Sequence, residues 1–161
     1  MAMKSSEPLF DAASNGDRRA LAKLLTIAEE GGSLRAYDRK SSWILGITGP
    51  PGAGKSTLID RLASNWSDKG EKIAILAVDP SSPVSGGALL GDRARMVFSD
   101  PSKIYFRSVS SRGSSGGISN GVRRMVEVLQ GLGWDRILIE TVGAGQGEFA
   151  IASVADRVML V

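Results

Sequence analysis

The sequence predicts an α/β fold: a mostly parallel sheet flanked by helices. Three observations carry this. Short, continuous apolar runs recur at 43–48, 73–78 and 136–139, and strands of that kind are buried on both faces. Segments with apolar residues at helical spacing lie between them, the alternation that builds parallel sheets. Finally, the runs end in a Gly-rich turn, in Asp79 and in Glu140, and in such sheets ligands bind at the carboxyl ends of strands.

Residues 1–40 read as a helical arm, and residues 41–161 as the N-terminal part of the sheet domain. In the arm, Leu21, Leu24, Leu25 and Ala28 form one apolar stripe. Gly16-Asp17 breaks it into two helices, with Asp17 as N-cap of the second, and Gly31-Gly32 stops it. Trp43 to Thr48 is the first strand. Ser56 to Trp66 follows as a helix carrying Leu58, Ile59, Leu62 and Ala63, and Gly70 ends it. Ile73 to Val78 is the second strand and Ile104 to Val109 a third. Val122 to Leu132 is a helix with Val122, Met125, Val126 and Leu129 on one face. Arg136 to Ile139 and Val158 to Val161 complete the strands. Because the sequence stops at a strand with no closing helix, the reading is a C-terminally truncated piece of a larger domain. The Gly/Ser-rich stretches 81–91 and 108–121 read as functional loops, each leading into an apolar or amphipathic segment.

Composition narrows the classes. The 161 residues suffice for one cored domain, 42% are apolar, and the formal charge of +3 is too small to argue for a nucleic-acid partner. Cys and His are both absent, so neither a disulfide nor a thiolate–imidazole metal site can form. No apolar run approaches the roughly 18 residues of a membrane span, and the first residues lack an export signal. The cytoplasm is the expected location, with no membrane partner.

Gly49-Pro50-Pro51-Gly52-Ala53-Gly54-Lys55-Ser56, followed by Thr57, matches the G-x-x-x-x-G-K-[ST] phosphate-binding pattern between a strand and a helix. Glycines 49, 52 and 54 let the backbone approach and turn its N–H groups inward. The helix N-terminus adds the positive end of its dipole. Lys55 supplies charge for β- and γ-phosphate oxygens, and Ser56 a hydroxyl for Mg²⁺. Asp79 and Glu140, each ending a strand beside the P-loop, are candidates to hold Mg²⁺ directly or through water. Gly143, three residues past Glu140, could bring a backbone N–H to the γ-phosphate. Asp92 stands beside Arg93 and Arg95, where a surface ion pair is the plainer alternative.

Four segments occur in order: the phosphate turn, Val78-Asp79-Pro80-Ser81-Ser82-Pro83, Gly86-Gly87-Ala88-Leu89-Leu90-Gly91-Asp92-Arg93-Ala94-Arg95-Met96, and Glu140-Thr141-Val142-Gly143-Ala144-Gly145-Gln146-Gly147-Glu148. Together they resemble the MeaB/MMAA GTPases, whose bacterial members have also carried the labels ArgK and LAO/AO transport ATPase. The resemblance implies a SIMIBI-class P-loop G domain that binds GTP and GDP with Mg²⁺ and hydrolyses GTP. It implies a chaperone role toward adenosylcobalamin-dependent methylmalonyl-CoA mutase, protecting it and gating its cofactor loading, and a homodimer. On this pattern Gly49 to Ser56 form the P-loop. Lys55, Glu140 and Asp92 are the catalytic candidates, with Ser56, Asp79, Asp92 and Glu140 around the metal. Glu140 stands where the second acidic motif more usually has Asp, and Gly143 is the γ-phosphate glycine. The Asn-Lys-x-Asp loop that reads guanine does not occur in this sequence, so guanine preference rests on the resemblance alone. Nickel-delivering sibling GTPases carry metal on Cys and His, both missing here.

For hydrolysis, Gln146 is a candidate to orient the attacking water and Arg93 or Arg95 to supply a cation in cis. Two other functions stay open: an ATPase or kinase of a basic-amino-acid (LAO/AO) transport system, and a small-molecule kinase.

Overall fold

A computed structural model describes residues 6–34, 38, 40–79, 100, 102–110, 120–141 and 151–161, with backbone only for Asp79 and Ser110. The helices are α1 (Glu7–Ser14), α2 (Arg18–Glu29), α3 (Lys55–Asp68) and α4 (Asn120–Gly131). The strands are β1 (Trp43–Thr48), β2 (Ile73–Asp79), β3 (Ile104–Ser110), β4 (Arg136–Thr141) and β5 (Arg157–Leu160).

They form one sheet in the order β3-β2-β4-β1-β5, and every described pairing is parallel. The chain leaves β1 toward β2 on one side, and β4 toward β5 on the other. The two routes diverge around the β1/β4 pair, so the carboxyl edge of that pair is where such a sheet opens a crevice.

Strand alternation sorts the core into two layers. Leu45, Ile47, Ile73, Ile75 and Leu138 face α3, against Ile59 and Ala63. Ile44, Ala74, Leu76, Val78, Ile137 and Ile139 face α2 and α4, against Leu24, Leu25, Met125 and Leu129. The continuous apolar strands are continuous because both faces are covered.

The arm forms two helices that part at Gly16-Asp17, and the second ends at Glu29, just before Gly31-Gly32. Asp17 caps α2, its carboxylate accepting from the amides of Arg19 (2.8 Å) and Ala20 (3.1 Å). Arg107 on β3 fastens α2 to the sheet edge. Its guanidinium donates to the Ala22 carbonyl (3.0 Å), the Thr26 hydroxyl (3.1 Å) and the Glu29 carboxylate (2.7 Å). At the amino end of the sheet, the Arg136 guanidinium lies 5.3 Å and 5.2 Å from the ring centroids of Trp43 and Trp66. It also donates to Glu71, and that hydrogen bond holds the Glu71 carboxyl below the usual range.

Where β5 follows its preceding turn, Ile151 packs directly on β1. A Cβ at Gly46 would sit 2.6 Å from Ile151 Cδ1, so only glycine permits this approach. Asp156 accepts from the Ile44 amide at 2.8 Å and fixes the start of the β1/β5 pairing. No described helix is long and apolar enough to cross a membrane.

Candidate functional site

The turn between β1 and α3 is shaped by its glycines. Gly49, Gly52 and Gly54 have φ of +144°, +79° and +93°, a region costly to any residue with a Cβ. At Gly49 a second constraint acts, because a Cβ would overlap the Val161 carbonyl oxygen. Pro50, Pro51, Gly52, Ala53 and Gly54 are exposed, so the loop offers its backbone outward. Gly54 is the N-cap of α3 and supplies no side-chain cap. The first N–H groups of α3 therefore have no side-chain acceptor at the N-cap, which is the condition for anion binding at a helix N-terminus.

Lys55 is buried, at 6% exposure. Its ammonium donates to the carbonyls of Gly49 and Pro50, each at 2.8 Å. The side chain folds back over the loop, and the charge is held at the loop's centre. Ser56 and Thr57, in the first turn of the helix, are exposed. The Ser56 hydroxyl donates to Glu140 Oε1 at 3.3 Å, across 84 residues of sequence. Glu140 is 3% exposed at the end of β4, opposite Ile47 in the β1/β4 register. That register, one residue before Thr48 and the turn, sets carboxylate beside hydroxyl.

Of the residues singled out in the sequence, Gly49 to Thr57 and Glu140 are thus brought together. The Asp79 backbone ends β2, two strands from β1. Asp92, Gly143, Gln146, Arg93 and Arg95 lie outside the described residues. The oxygens of Ser56 and Glu140, a hydroxyl and a carboxylate, are the hard donors that suit Mg²⁺. With the exposed glycine backbone and the Lys55 ammonium beside them, the residues present fit a nucleotide triphosphate and its divalent ion.

Two residues that sequence reasoning passed over stand at the same edge. Thr48 (2% exposed) and Thr141 (6%) are buried. Neither hydroxyl has a hydrogen-bond partner among the described residues. The signal available was a polar residue at an inward position of an otherwise apolar run.

A glycine-wrapped turn between strand and helix, a loop-centred lysine and a strand-end acid define a P-loop nucleotide-binding domain. Comparison with known proteins takes the assignment further. Residues 21–161 match the model of the family described as methylmalonyl Co-A mutase-associated GTPase MeaB, and the chain belongs to that family. A Pyrococcus horikoshii protein named "Putative GTPase" is 44% identical over 168 residues, covering 99% of this chain and 53% of its own length. A fused isobutyryl-CoA mutase of Geobacillus kaustophilus is 39% identical over 165 residues, covering 91% of this chain and 15% of its own. A solved structure described as a LAO/AO transport system kinase superposes with a TM-score of 0.70 at 25% identity, covering all of this chain and 51% of the other. The chain thus spans about half the length of the Pyrococcus relative and of the superposed kinase.

Proposed function

We propose that this protein binds GTP and GDP with Mg²⁺ in the turn 49–56, hydrolyses GTP, and uses that cycle as a chaperone of an adenosylcobalamin-dependent methylmalonyl-CoA mutase, governing its cofactor loading. The observation that carries the nucleotide reading is the convergence of the Lys55 ammonium, the Ser56 hydroxyl and the Glu140 carboxylate at one strand edge. The family description and the relatives named as GTPases support guanine. The mutase reading is supported by the family description and by the relative in which a like segment is part of a mutase chain.

In this reading the exposed loop amides and the α3 N-terminus hold the phosphate oxygens. Lys55 exchanges the carbonyls of Gly49 and Pro50 for β- and γ-oxygens, so its charge is already in place when the nucleotide arrives. Ser56 and Glu140 hold the divalent ion, with Asp79 and Asp92 helping, and Gly143 offers its amide to the γ-phosphate. Bound Mg²⁺ supplies charge neutralisation at the transferring phosphoryl group. The full-length protein acts as a cytoplasmic homodimer.

The kinase name of the superposed structure supports a second reading, an ATPase or kinase of a basic-amino-acid transport system. Affinity for GTP and ATP with Mg²⁺, measured on the full-length protein, separates the two. Preference for GTP and GDP is expected, with co-purification of a mutase as the next test; preference for ATP would refute the guanine reading. Lys55→Ala should abolish binding or turnover, and unchanged values would remove the phosphate role from this turn.

A further inference from the structure

Thr48 and Thr141 sit on the far face of the sheet from the Ser56–Glu140 contact. The β1/β4 register sets Ile47 opposite Glu140, so the next residues on each strand, Thr48 and Thr141, run side by side. Alternation places Thr141 with Ile137 and Ile139, on the α2/α4 face, and Glu140 with Leu138, on the α3 face. Across the same row, Thr141 is opposite Val78 and Thr48 is opposite Leu160. Neither neighbour offers a side-chain hydrogen-bonding atom. One step back along the strands lie Ile139 and Gly46, with the Ile151 side chain filling the space over Gly46.

Among the described residues the two hydroxyls are therefore an isolated polar pair in an apolar layer. Both are more than nine-tenths buried and both lack a partner among the described residues. A buried hydroxyl without a partner is less favourable than a methyl group of the same shape. Valine would fill either position at lower cost. The pair also has a particular address: Thr48 immediately precedes Gly49, and Thr141 immediately follows Glu140. A hydrogen bond to either hydroxyl acts on the backbone that aims a phosphate ligand or the acid.

Building on the nucleotide-binding reading above, we infer that Thr48 and Thr141 are a positioning pair, whose hydroxyls take up hydrogen-bond partners when nucleotide is bound and so tie occupancy of the site to the geometry of the two strand ends. They touch neither phosphate nor metal. Their hydrogen-bonding capacity, unspent among the described residues, is used when nucleotide is bound, so the cost they impose on the fold is returned as nucleotide affinity.

The test uses the full-length protein and the variants Thr48→Val, Thr141→Val, the double variant, and Thr→Ser at each position, which keeps the hydroxyl. Thermal midpoints are measured without nucleotide and with Mg²⁺ and GDP at fixed concentration, together with kcat and KM for GTP. The valine variants should melt at or above wild type without nucleotide. Their nucleotide-induced rise should shrink, with affinity or kcat/KM falling by about tenfold, the order expected for one lost hydrogen bond. The serine variants should keep the wild-type nucleotide response. An unchanged nucleotide-induced rise and unchanged kcat/KM in the valine variants would overturn the inference. So would a lowered nucleotide-free midpoint in them, since the hydroxyls would then have a structural partner in the free chain. An effect confined to one of the two positions overturns the pair. If the wild-type protein takes ATP rather than GTP, the guanine reading fails by itself, and the same comparison made with ATP decides this inference.

Discussion

Replacing Arg107 by methionine should destabilise the protein by about 2–3 kcal/mol, a value bracketed by two limits. Breaking a buried ion pair costs about 3–5 kcal/mol because a charge is stranded, whereas exposed pairs are worth about 0–1 kcal/mol. The Arg107 and Glu29 side chains are 17% and 13% exposed, nearer the buried limit but still wetted. Methionine keeps most of the aliphatic volume, so the loss reports on the three acceptors of α2: the Ala22 carbonyl, the Thr26 hydroxyl and the Glu29 carboxylate. For a domain of this size, the loss corresponds to a midpoint lower by about 4–12 °C. Urea unfolding gives the free energy directly. Glu29→Leu added to Arg107→Met should recover part of the loss, because no charge is then stranded, giving a coupling of at least about 1 kcal/mol in the double-mutant cycle. A loss below about 0.5 kcal/mol for Arg107→Met, or strictly additive single variants, would refute the claim that this guanidinium clips the arm to the sheet.

Gly46→Ala should cost about 1–3 kcal/mol through overpacking, since the new methyl meets Ile151 Cδ1 at 2.6 Å; Ile151→Val in the same chain should relieve part of it, as urea titration would reveal. Glu71 contributes to acid stability with a definite sign. Its folded pKa lies below the ordinary 4.5 because Arg136 donates to it, so its contribution is complete above that value and is lost as pH falls through the folded value. Glu71→Gln should therefore lower the midpoint near neutrality by an amount worth up to about 1 kcal/mol and converge with wild type at strongly acid pH; a constant difference down to low pH would contradict this.

The layered fold was legible because local pattern and tertiary role agree. Ile44–Ile47 and Ile137–Ile139 are apolar runs, since α3 covers one face and α2 with α4 the other. Asp17 was readable as a cap because a carboxylate before an apolar stripe has a local task, and its acceptor role spans only two and three residues. The phosphate turn was readable for the same reason: its glycines meet backbone demands set within eight residues. Strand order was not readable. The insertion of β4 between β1 and β2 depends on pairings between distant segments, and no local pattern encodes them. The same limit hid Arg107, which looks in sequence like any surface arginine until β3 brings it beneath α2. It also hid the adjacency of Thr48 and Thr141, which exists only in the register of two strands far apart in the chain.

That insertion has a consequence in time. The turn that wraps the phosphates is made early, but the carboxylate that completes it belongs to a strand 84 residues further on. At a synthesis rate of about 5–20 residues per second, the turn waits on the order of 4–17 s for its partner strand. During that interval β1 lacks the neighbour that separates it from β2. The nascent chain therefore carries the glycine turn without the carboxylate of Glu140 until the centre of the sheet is filled.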